Sequence, residues 1–426
     1  MKNQETKHDQ PVSSTGFSGL GLSDHLCRIV KNAGYARPTP IQAQAIPHLL
    51  IGRDLLGCAQ TGTGKTAAFA LPILHSITKH GPLMGRPVIR ALVLAPTREL
   101  AAQIGASFEK YAGPKGPRQL VIFGGVSKHN QILALRRGVE VLVATPGRLI
   151  DLMNEGTMKL DHVETFVLDE ADRMLDMGFI HDVRRISKAL PQSRQTLMFS
   201  ATMPKEIHEL ATRILRRPMR IAVDPVASTR EPTTQSVYMV EKSRKTSLLV
   251  ELLGDDNIDR ALVFSRTKHG ANKLAKKLLQ AGFRAAAIHG NKSQATRERT
   301  LADFKAHRIR VIVATDIAAR GLDIENLSHV INFDLPNEPE TYVHRIGRTG
   351  RAGANGVALS FCSPEECAAL RDIERLTRRR IVQIASSPGF TGASNTMPKV
   401  VASEDQPKSR ISRKVIRRRR LCLANC

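Results

Sequence analysis

Short runs rich in Val, Ile and Leu recur along this chain, and each is followed by a longer stretch with helical spacing of apolar residues. The runs lack strict apolar–polar alternation, so they predict strands covered by helices on both faces of a parallel sheet. The first series comprises "ALVLAPT" from residue 91, "VEVLVATPGR" from 139, "TFVLDEAD" from 165 and "QTLMFSAT" from 195. The second comprises "RALVFSRT" from 260, "AAAIHG" from 285, "RVIVATDIAARG" from 310, "HVINFDLP" from 329 and "GVALSFC" from 356. Two α/β domains are therefore predicted.

Length and two breaks in composition agree with this division. A chain of 426 residues exceeds the size at which one hydrophobic core usually keeps growing. The stretch "VDPVASTREPTTQ" is rich in Pro, Ser and Thr, which is typical of an exposed linker. Beyond about residue 385 a basic, Ser-, Gly- and Pro-rich segment predicts disorder. The predicted parts are a flexible N-terminus (1–16), a first domain (17–223), a linker (224–235), a second domain (236–385) and a basic disordered tail (386–426).

The charge of the chain indicates the kind of partner. It has 64 Lys and Arg against 39 Asp and Glu, a net charge of +25, which favours an extended polyanion such as nucleic acid. Without Trp and with four Tyr, few rings are available for base stacking, so a nucleic acid would be held mainly by its backbone. The six cysteines form no CxxC pair, and no apolar run of about 18 residues occurs. A soluble cytoplasmic protein with reduced thiols and no membrane contact is expected.

The segment "AQTGTGKT" has the features of a phosphate-binding loop, because it follows an apolar run and precedes a helical pattern. Glycines allow backbone N–H groups to approach phosphate oxygens, Lys65 would neutralise the β and γ phosphates, and Thr66 offers its hydroxyl to Mg²⁺. The pattern GxxxxGK[ST] is met except that Ala59 replaces the first glycine. The predicted nucleotide contacts are Ala59, Gln60, Thr61, Gly62, Thr63, Gly64, Lys65 and Thr66.

Three acids follow the predicted strand "TFVL" within four positions. Neighbouring carboxylates repel each other, so such a cluster is either a solvated acidic turn or a site for a cation. A nucleotide loop needs an acid at the end of a neighbouring strand to hold Mg²⁺, and Asp169 has that position. Glu170 beside it would orient or deprotonate the attacking water.

The segment VLDEAD resembles the signature of the DEAD-box ATP-dependent RNA helicases, and further segments match that family in order from about Phe17 to residue 385. Within that family, the sequences of "DRMLDMGFIHD" and "AAIHGNKSQ" most resemble those of the bacterial RhlE-like branch. The resemblance implies two tandem RecA-like domains joined by a short linker. It also implies that "GYARPTPIQ" recognises adenine, with Gln42 on the base edge, Phe17 over the ring, and Tyr35 and Pro40 nearby.

The resemblance also assigns RNA contacts and a coupling segment in the first domain. The RNA segments are "APTREL", the glycine pair and "TPGR", whose loops follow strand ends and can present amides and arginines to phosphates. The segment "SAT" would couple the ATP state to strand separation by bonding the third acid. The residues are Pro96, Thr97, Arg98, Gly124, Gly125, Thr145, Pro146, Gly147 and Arg148 for RNA, and Asp172, Ser200, Ala201 and Thr202 for coupling.

In the second domain, "HRIGRTGRAG" resembles the family's arginine-finger motif. An arginine finger supplied across a cleft can raise the rate about 10³- to 10⁵-fold. Arg348 and Arg351 would be the fingers, supported by His344 and Arg345, and Asp323 would contact the ribose. The segment "HGNKSQATRERTLADF" also fits an amphipathic helix with Leu301 and Phe304 in the core. The RNA contacts implied are Arg266, Thr267, Gln294, Arg297, Thr315, Arg320 and Gly321.

Together these residues predict an ATP-dependent helicase that unwinds short RNA duplexes or remodels RNA–protein complexes with little sequence specificity. ATP and Mg²⁺ are the expected cofactors, and ribosomal precursors or RNA-degradation assemblies are the expected partners. Two alternatives remain open: an ATP-gated RNA clamp that unwinds little, and a DNA-directed helicase of the wider superfamily. The basic tail would be either an RNA tether or a solubilising end.

Overall fold

The computed structural model describes residues 16–59, 63–81, 87–114, 116–222, 233–319, 327–350 and 356–384. These residues form two lobes, the first ending at residue 222 and the second beginning at residue 233, each built on a seven-stranded sheet. Every strand pair in both sheets is parallel, in order β3-β4-β2-β5-β6-β1-β7 and then β10-β11-β9-β12-β13-β8-β14. The predicted fold class, two parallel-sheet α/β domains flanked by helices, is confirmed.

The strands of the first sheet are short and mostly fully buried, as parallel strands between two helical layers must be. They are β1 (Leu55–Cys58), β2 (Ala91–Leu94), β3 (Gln119–Ile122), β4 (Val141–Ala144), β5 (Thr165–Leu168), β6 (Gln195–Ser200) and β7 (Met219–Ala222). The helices around it are α1 (Asp24–Asn32), α2 (Pro40–Leu50), α3 (Lys65–His80), α4 (Arg98–Ala112), α5 (Lys128–Arg136), α6 (Pro146–Asn154), α7 (Ala171–Asp176), α8 (Ile180–Ala189) and α9 (Lys205–Ile214). A 3₁₀ turn, Phe17–Leu20, precedes α1.

Both faces of this sheet carry a hydrophobic core. Along β2, Val93 packs into one core with Phe108, whereas Leu92 and Leu94 pack into the other with Phe166. Each fully buried side chain of this size contributes roughly 1.5–3 kcal/mol from the hydrophobic effect. Because successive residues of a strand point to opposite faces, an all-apolar run is the pattern such a sheet requires.

The second lobe repeats the design. Its strands are β8 (Thr233–Met239), β9 (Ala261–Phe264), β10 (Ala285–Ile288), β11 (Val311–Ala314), β12 (His329–Asn332), β13 (Gly356–Cys362) and β14 (Val382–Ile384). Its helices are α10 (Lys245–Leu253), α11 (Lys268–Gln280), α12 (Gln294–Lys305), α13 (Asp316–Ala319), α14 (Pro339–Ile346) and α15 (Cys367–Thr377), with a 3₁₀ turn at Pro364–Glu366. Phe304 of α12 is fully buried and Leu301 packs beside it, as the amphipathic alternative required.

Five strands lie outside the two predicted series: β1, β3, β7, β8 and β14. The apolar run of β1 was predicted only as the stretch that precedes the phosphate loop. Of the other four, β3, β7 and β14 are sheet edges and β8 is next to an edge. Edge strands are covered less, so their sequences carry a weaker apolar signal. β8 starts at Thr233, three residues inside the predicted linker, where Thr and Gln pair with β13 through backbone hydrogen bonds. The rest of the linker and the tail lie outside the described residues, and no described helix is long and apolar enough to cross a membrane.

Candidate nucleotide site and nucleic-acid interface

The predicted phosphate loop joins β1 to α3 at the carboxyl edge of the first sheet. Gly64, with φ of +92°, caps the amino end of α3, so that Lys65 is its first residue. The buried Lys65 amine donates a hydrogen bond to the Ala59 carbonyl (3.0 Å) and lies 3.8 Å from Asp169 Oδ1. The Lys65 ammonium thus adds positive charge at the amino end of α3, which already favours anions. Thr63 and Thr66 are also described, whereas Gln60, Thr61 and Gly62 are outside the described residues.

Gln42 of the predicted adenine motif is tied to this loop. Its Nε2 donates to the Gly64 carbonyl (3.1 Å), and its Oε1 accepts the Thr39 N–H (2.9 Å). A Cβ on Gly64 would lie 2.4 Å from Gln42 Nε2, so the contact requires glycine as well as a positive φ. An amide has two N–H donors and two lone pairs, so Gln42 retains one donor and one acceptor for a base edge.

The two predicted aromatic contacts are already packed against protein. Phe17 is 6% exposed and belongs to a core of the first lobe. Tyr35 meets Tyr111 edge-on, with ring centroids 6.1 Å apart, and accepts a hydrogen bond from its hydroxyl (3.2 Å). Lys110 Nζ lies 5.0 Å from the centre of the Tyr35 ring. Tyr35 is therefore held against the end of α4, while Pro40 is the first residue of α2.

Asp169 follows β5 directly and is buried, with Oδ1 unpartnered by any hydrogen bond among the described residues. Burial raises the pKa of Asp169 to about 6, and the nearby Lys65 opposes that rise. A desolvated carboxylate with a free oxygen is stabilised by a cation, so the residue has the chemistry of a ligand for a hard metal ion. Asp169 and Lys65 thus meet at the carboxyl edge of the sheet, although β5 is not the neighbour of β1 that was predicted, since β6 lies between them.

Glu170 caps α7 with φ of 56° and ψ of 55°, a left-handed conformation that is unusual for a residue with a side chain. Its carboxylate forms a buried ion pair with Arg173, one helical turn along. Burial acts to raise the pKa of Glu170, but the charges of Arg173, Lys65 and Arg348 outweigh it and hold the pKa below its usual value. Glu170 is thus ionised and able to accept a proton.

The third acid, Asp172, is bound to the segment Ser200–Thr202. Asp172 Oδ2 accepts the Ala201 N–H (3.1 Å), the Thr202 N–H (2.8 Å) and the Thr202 hydroxyl (2.9 Å). The Ser200 hydroxyl accepts from the Asp172 N–H (3.2 Å) and donates to the Thr202 carbonyl (2.8 Å). The acid cluster and the loop after β6 therefore form one hydrogen-bonded unit.

Residues of both lobes line a cavity beside this acid cluster. Arg173 contributes one wall, and the other walls are Phe264, Asp316, Ala319, Thr341, His344, Arg345 and Arg348 of the second lobe. The buried Arg348 is near enough to lower the pKa of Glu170. The second predicted finger, Arg351, lies outside the described residues.

Arg345 has a structural role in this wall. Its guanidinium makes two bonds to the Asp316 carboxylate (2.6 and 2.8 Å) and others to Asn332 Oδ1 (3.1 Å) and the Asp334 carbonyl (2.6 Å), and it stacks over Phe264. A guanidinium with its donors satisfied in this way fixes α14 against the carboxyl ends of the strands. Its position agrees with the predicted support of the interface.

The predicted first-lobe RNA residues converge after β2, β3 and β4. The Arg98 guanidinium lies over the glycine pair: a Cβ on Gly125 would be 2.0 Å from its Nη1. Arg148 Nη1 donates to Gln131 Oε1 (2.9 Å), and Gln131 Nε2 donates to the Phe123 carbonyl (3.0 Å). Thr97 and Thr145 cap α4 and α6, and Pro146 and Gly147 begin α6. Pro96 precedes Thr97 in the same loop.

Arg297 of the second lobe reaches this surface. Arg297 Nη2 lies 2.9 Å from Oε1 of Glu99, and both side chains are at most 10% exposed. The geometry is that of an ion pair without hydrogen-bond alignment, because Glu99 Oε1 has no hydrogen-bond partner. Burial lowers the pKa of Arg98, and repulsion by Arg297 and Arg148 lowers it further. Three arginines from two lobes therefore form one basic surface with Glu99 between them.

Arg266, a predicted RNA contact, is bonded to protein groups. Its guanidinium donates to Glu366 Oε1 (2.8 Å) and to the Leu335 carbonyl (3.2 Å), as part of a network that also holds the buried Lys245. In this structure the side chain therefore contacts protein, although it is 48% exposed. Its neighbour Thr267 caps α11, Thr315 follows β11, and Gln294 Nε2 bonds Glu298 (2.9 Å). Arg320, Gly321 and Asp323 lie outside the described residues.

Sequence reasoning did not single out Glu99, Arg173 or Glu366. Arg173 could have been found, because a residue three positions after Glu170 on a helix lies beside it. Glu99 pairs with a residue nearly two hundred positions away, and Glu366 with Lys245 and Arg266, so no local signal reveals these partners.

Comparison with known proteins gives the family. Residues 39–210 match the DEAD/DEAH box helicase model, and residues 244–353 match the helicase conserved C-terminal domain. The chain belongs to the DEAD/DEAH box helicase family. Within it, the chain is a DEAD-box ATP-dependent RNA helicase similar to CshA. It is 45% identical over 393 residues to CshA of Bacillus cereus, across 92% of this chain and 74% of that protein.

Solved structures agree. S. cerevisiae Dbp5 bound to RNA and ADP BeF3 matches with a TM-score of 0.78 at 31% identity, covering 87% of this chain and 95% of that chain. A DEAD box protein from Methanococcus jannaschii matches with a TM-score of 0.51 at 40% identity, covering 87% and 99%.

Proposed function

We propose that ATP is held between the two lobes and that its hydrolysis drives local opening of short RNA duplexes or remodelling of RNA–protein complexes. One observation carries most of this proposal: Arg348 of the second lobe lies close enough to the buried Glu170 of the first to lower its pKa. A site assembled from two lobes is complete only while they are closed. The similarity of the lobe arrangement to an RNA-bound relative supports the same state.

In this proposal ATP lies along the carboxyl edge of the first sheet. The free donor and acceptor of Gln42 suit the adenine edge, which offers an acceptor and a donor side by side. Lys65, which bonds the Ala59 carbonyl here, would turn to the β and γ phosphates. Asp323 would bind the ribose, and Phe17, Tyr35 and Pro40 would flank the base.

The residues present fit Mg²⁺. Asp169 offers an unpartnered, buried carboxylate oxygen, and Thr66 offers a hydroxyl at the first turn of α3. Oxygen donors of this kind, few in number, suit Mg²⁺, which keeps waters and phosphate oxygens as its other ligands. When bound, the ion would neutralise negative charge on the phosphate oxygens.

The proposed hydrolytic step uses groups from both lobes. Glu170 is ionised and would orient the attacking water and take its proton. Arg348 and Arg351 would stabilise the charge that develops on the transferred phosphoryl group, with His344 beside them. Arg173 holds Glu170 from the same helical turn, so its ion pair sets the direction of the carboxylate.

RNA binding is proposed along the basic surface that both lobes form. Arg98, Arg148 and Arg297 would contact phosphates, and Thr315, Thr267 and Gln294 lie at strand ends and a helix start facing the same edge. The glycine pair and Gly147 would allow close approach of the backbone. Contacts of this type read little sequence, so RNA and ATP should each favour closure and strengthen the binding of the other. The unit of Asp172 with Ser200, Ala201 and Thr202 would transmit that coupling.

The cellular setting remains part of the proposal. A cytoplasmic enzyme that acts on ribosomal precursors or within RNA-degradation assemblies fits the charge and the absence of base-reading aromatics. The domain limits 17–223 and 236–385 are proposed as before, and the tail as an RNA tether. Placement in an RhlE-like branch rests only on the sequences of two short segments, whereas the relative described above is named CshA.

Glu170→Gln tests the catalytic core. The amide keeps the size of the carboxylate and cannot accept a proton, so RNA-stimulated ATPase should fall at least about 10²-fold. Binding of an ATP analogue and of RNA should persist. The measurements are ATPase rate, nucleotide affinity and RNA affinity on the same preparation. Unchanged turnover would remove Glu170 from its proposed role.

The wild-type protein separates the alternatives. ATPase should respond to RNA and hardly to DNA of identical sequence, whereas equal stimulation would favour a DNA-directed helicase. A strand-displacement assay on a duplex of about one helical turn should show release of one strand. RNA-stimulated ATPase without displacement would favour the clamp.

A further inference from the structure

His289, which follows β10 directly, has an unused hydrogen-bond donor. The Asn291 N–H donates to His289 Nδ1 (3.3 Å), so in the neutral ring the proton is on Nε2. The Lys292 N–H bonds the His289 carbonyl (3.0 Å), which closes a tight turn and fixes the ring. The residue is 2% exposed, and Nε2 has no hydrogen-bond partner among the described residues. A buried, unsatisfied N–H destabilises the folded state, so a ligand that satisfies it is favoured.

The surroundings of this nitrogen are cationic. Lys268 Nζ donates to Asn291 Oδ1 (3.0 Å), which places an ammonium on the same turn. Lys292 and Arg297 add positive charge close to the ring, and the charged groups with the largest effect on the His289 pKa are all basic. An electropositive site with a neutral donor excludes a metal cation and suits an anion.

Gly290 leaves room for an anion at this turn. A Cβ there would make only ordinary contacts, 3.7 Å to Lys268 Cε and 3.8 Å to its Nζ, and the residue does not have a positive φ. The fold therefore does not require glycine at this position. Because Gly290 has no side chain, an RNA backbone phosphate can closely approach the unused donor of His289.

The turn lies at the carboxyl edge of the second sheet. β10 pairs with β11 and β11 with β9, all parallel, so His289 follows its strand beside Thr315 and in the same layer as Thr267. Gln294 and Arg297 begin α12 a few residues later. These four residues were predicted to contact RNA, whereas His289, Gly290 and Lys268 were not.

We propose that His289 Nε2–H and the Lys268 ammonium bind one phosphodiester of the RNA strand, with Gly290 giving the phosphate access. The proposal rests on the proposed RNA-helicase function and adds residues to it. Lys268 lies against Gly290, so movement of its flexible arm onto the phosphate would also uncover the turn. Burial, and next Lys292, lower the pKa of His289, which keeps the ring a neutral donor at physiological pH.

His289→Asn isolates the donor. Asparagine Oδ1 can still accept the Asn291 N–H, so the turn is retained, but no donor remains at the position of Nε2. The half-saturating RNA concentration for ATPase should rise about 10- to 150-fold, the range expected for a hydrogen bond to a charged group. Maximal ATPase and melting temperature should stay near wild type. His289→Gln, whose amide reaches further, should recover part of the RNA affinity.

Salt dependence distinguishes the two groups. Removing one phosphate-bound cation from a single-stranded site reduces the slope of log affinity against log salt by about 0.7, whereas a neutral donor leaves the slope unchanged. Lys268→Ala should therefore flatten the slope, and His289→Asn should lower affinity at every salt concentration. Lys273→Ala, an exposed lysine on the same helix, is the matched control and should change neither.

The outcomes separate this inference from the proposed function. If wild-type ATPase does not respond to a poly(U) probe, the proposed function fails. If wild type responds but His289→Asn and Gly290→Ala keep the same RNA requirement, this inference is wrong and the turn is only structural. A lower melting temperature of His289→Asn with an unchanged RNA requirement has the same meaning. Gly290→Ala should match His289→Asn in RNA affinity without any loss of stability.

Discussion

Asp169 and Glu170 are neighbours, yet their surroundings move their pKa values in opposite directions. Burial dominates at Asp169, although Lys65, 3.8 Å away, and Arg173 both act to lower its pKa. Arg173 forms a direct ion pair with Glu170, and its charge outweighs the same burial. One acid is thus left ready for a cation and the other ready for a proton, which are the two tasks proposed for them.

Asp169→Asn should stabilise the protein in the absence of nucleotide and Mg²⁺. The folded-state pKa of about 6 lies above the ordinary value of 3.8, so ionised Asp169 costs stability once the pH exceeds that ordinary value. The cost is complete above about pH 6 and disappears as the pH falls below the ordinary value. At pH 8 the gain should be on the order of 1–3 kcal/mol, measured by denaturant unfolding.

The same titration provides the control. The stabilising effect of Asp169→Asn should shrink when unfolding is repeated near pH 4.5. ATP with Mg²⁺ should raise the melting temperature of wild type and not that of the variant. An equal effect of the substitution at both pH values would mean that the buried charge is not its cause.

At this scale the loop and acid motifs predicted that Lys65 and Asp169 serve one site, and the family resemblance implied the bonds of Asp172 to Ser200 and Thr202. The orientation of Arg266 was not predictable. Its partner Glu366 is a hundred residues later, in the 3₁₀ turn that precedes the last helix. A long side chain at a strand end can turn to ligand or to protein, and only the tertiary partner decides.

At the scale of elements, the sheet's central strands were predictable and its borders were not. β1, β2, β4, β5 and β6 are covered on both faces, which demands the continuous apolar runs seen in the sequence. β3 and β7 close the sheet at its two edges with partly exposed side chains. The loops that carry the candidate site residues follow the central strands. Most of these residues could therefore be predicted from the sequence, although the edge strands could not.

Gly147 in the first turn of α6 allows a test at this scale. A Cβ there would meet no described atom within 4 Å, and its φ is not positive, so the fold tolerates alanine. Gly147→Ala should leave the melting temperature unchanged or slightly higher, since alanine is the better helix former. If RNA backbone approaches α6, the half-saturating RNA concentration should rise severalfold while the ATP requirement stays the same. An RNA titration of ATPase activity checks both values.

At the scale of the whole molecule, the ion pair of Glu99 with Arg297 joins the RNA surfaces of the two lobes. In a separated state both groups would be solvated, so the pair acts on the equilibrium between open and closed lobes. Neither residue's motif reveals the partner, because only the closed arrangement brings α4 and α12 together.

Glu99→Gln should weaken the coupling between ATP and RNA. With one partner neutral, closure would bring Arg297 towards Arg98 and Arg148 without compensation. The factor by which an ATP analogue tightens RNA binding should fall about 5- to 20-fold, within the usual range for coupling between sites. Fluorescence anisotropy of a labelled RNA, with and without the analogue, gives this factor. RNA affinity without the analogue should be unchanged or greater.

Glu109→Gln, at an exposed position of α4, makes the same change of charge and should leave the coupling factor unchanged. A Glu99→Gln variant with wild-type coupling would show that the pair contributes nothing to closure. A double variant with Arg297→Gln would then measure whether the two residues interact at all.

The hydrogen bond from Gln42 Nε2 to the Gly64 carbonyl has a consequence for protein engineering. The Gln42 amide, which is proposed to bind the purine, also supports the turn at Gly64 that is proposed to lie beneath the triphosphate. Exchanging that amide to accept a different nucleobase would loosen the turn at the same time. A change in nucleotide specificity should therefore require a pair of substitutions, one of which restores the support that the turn at Gly64 has lost.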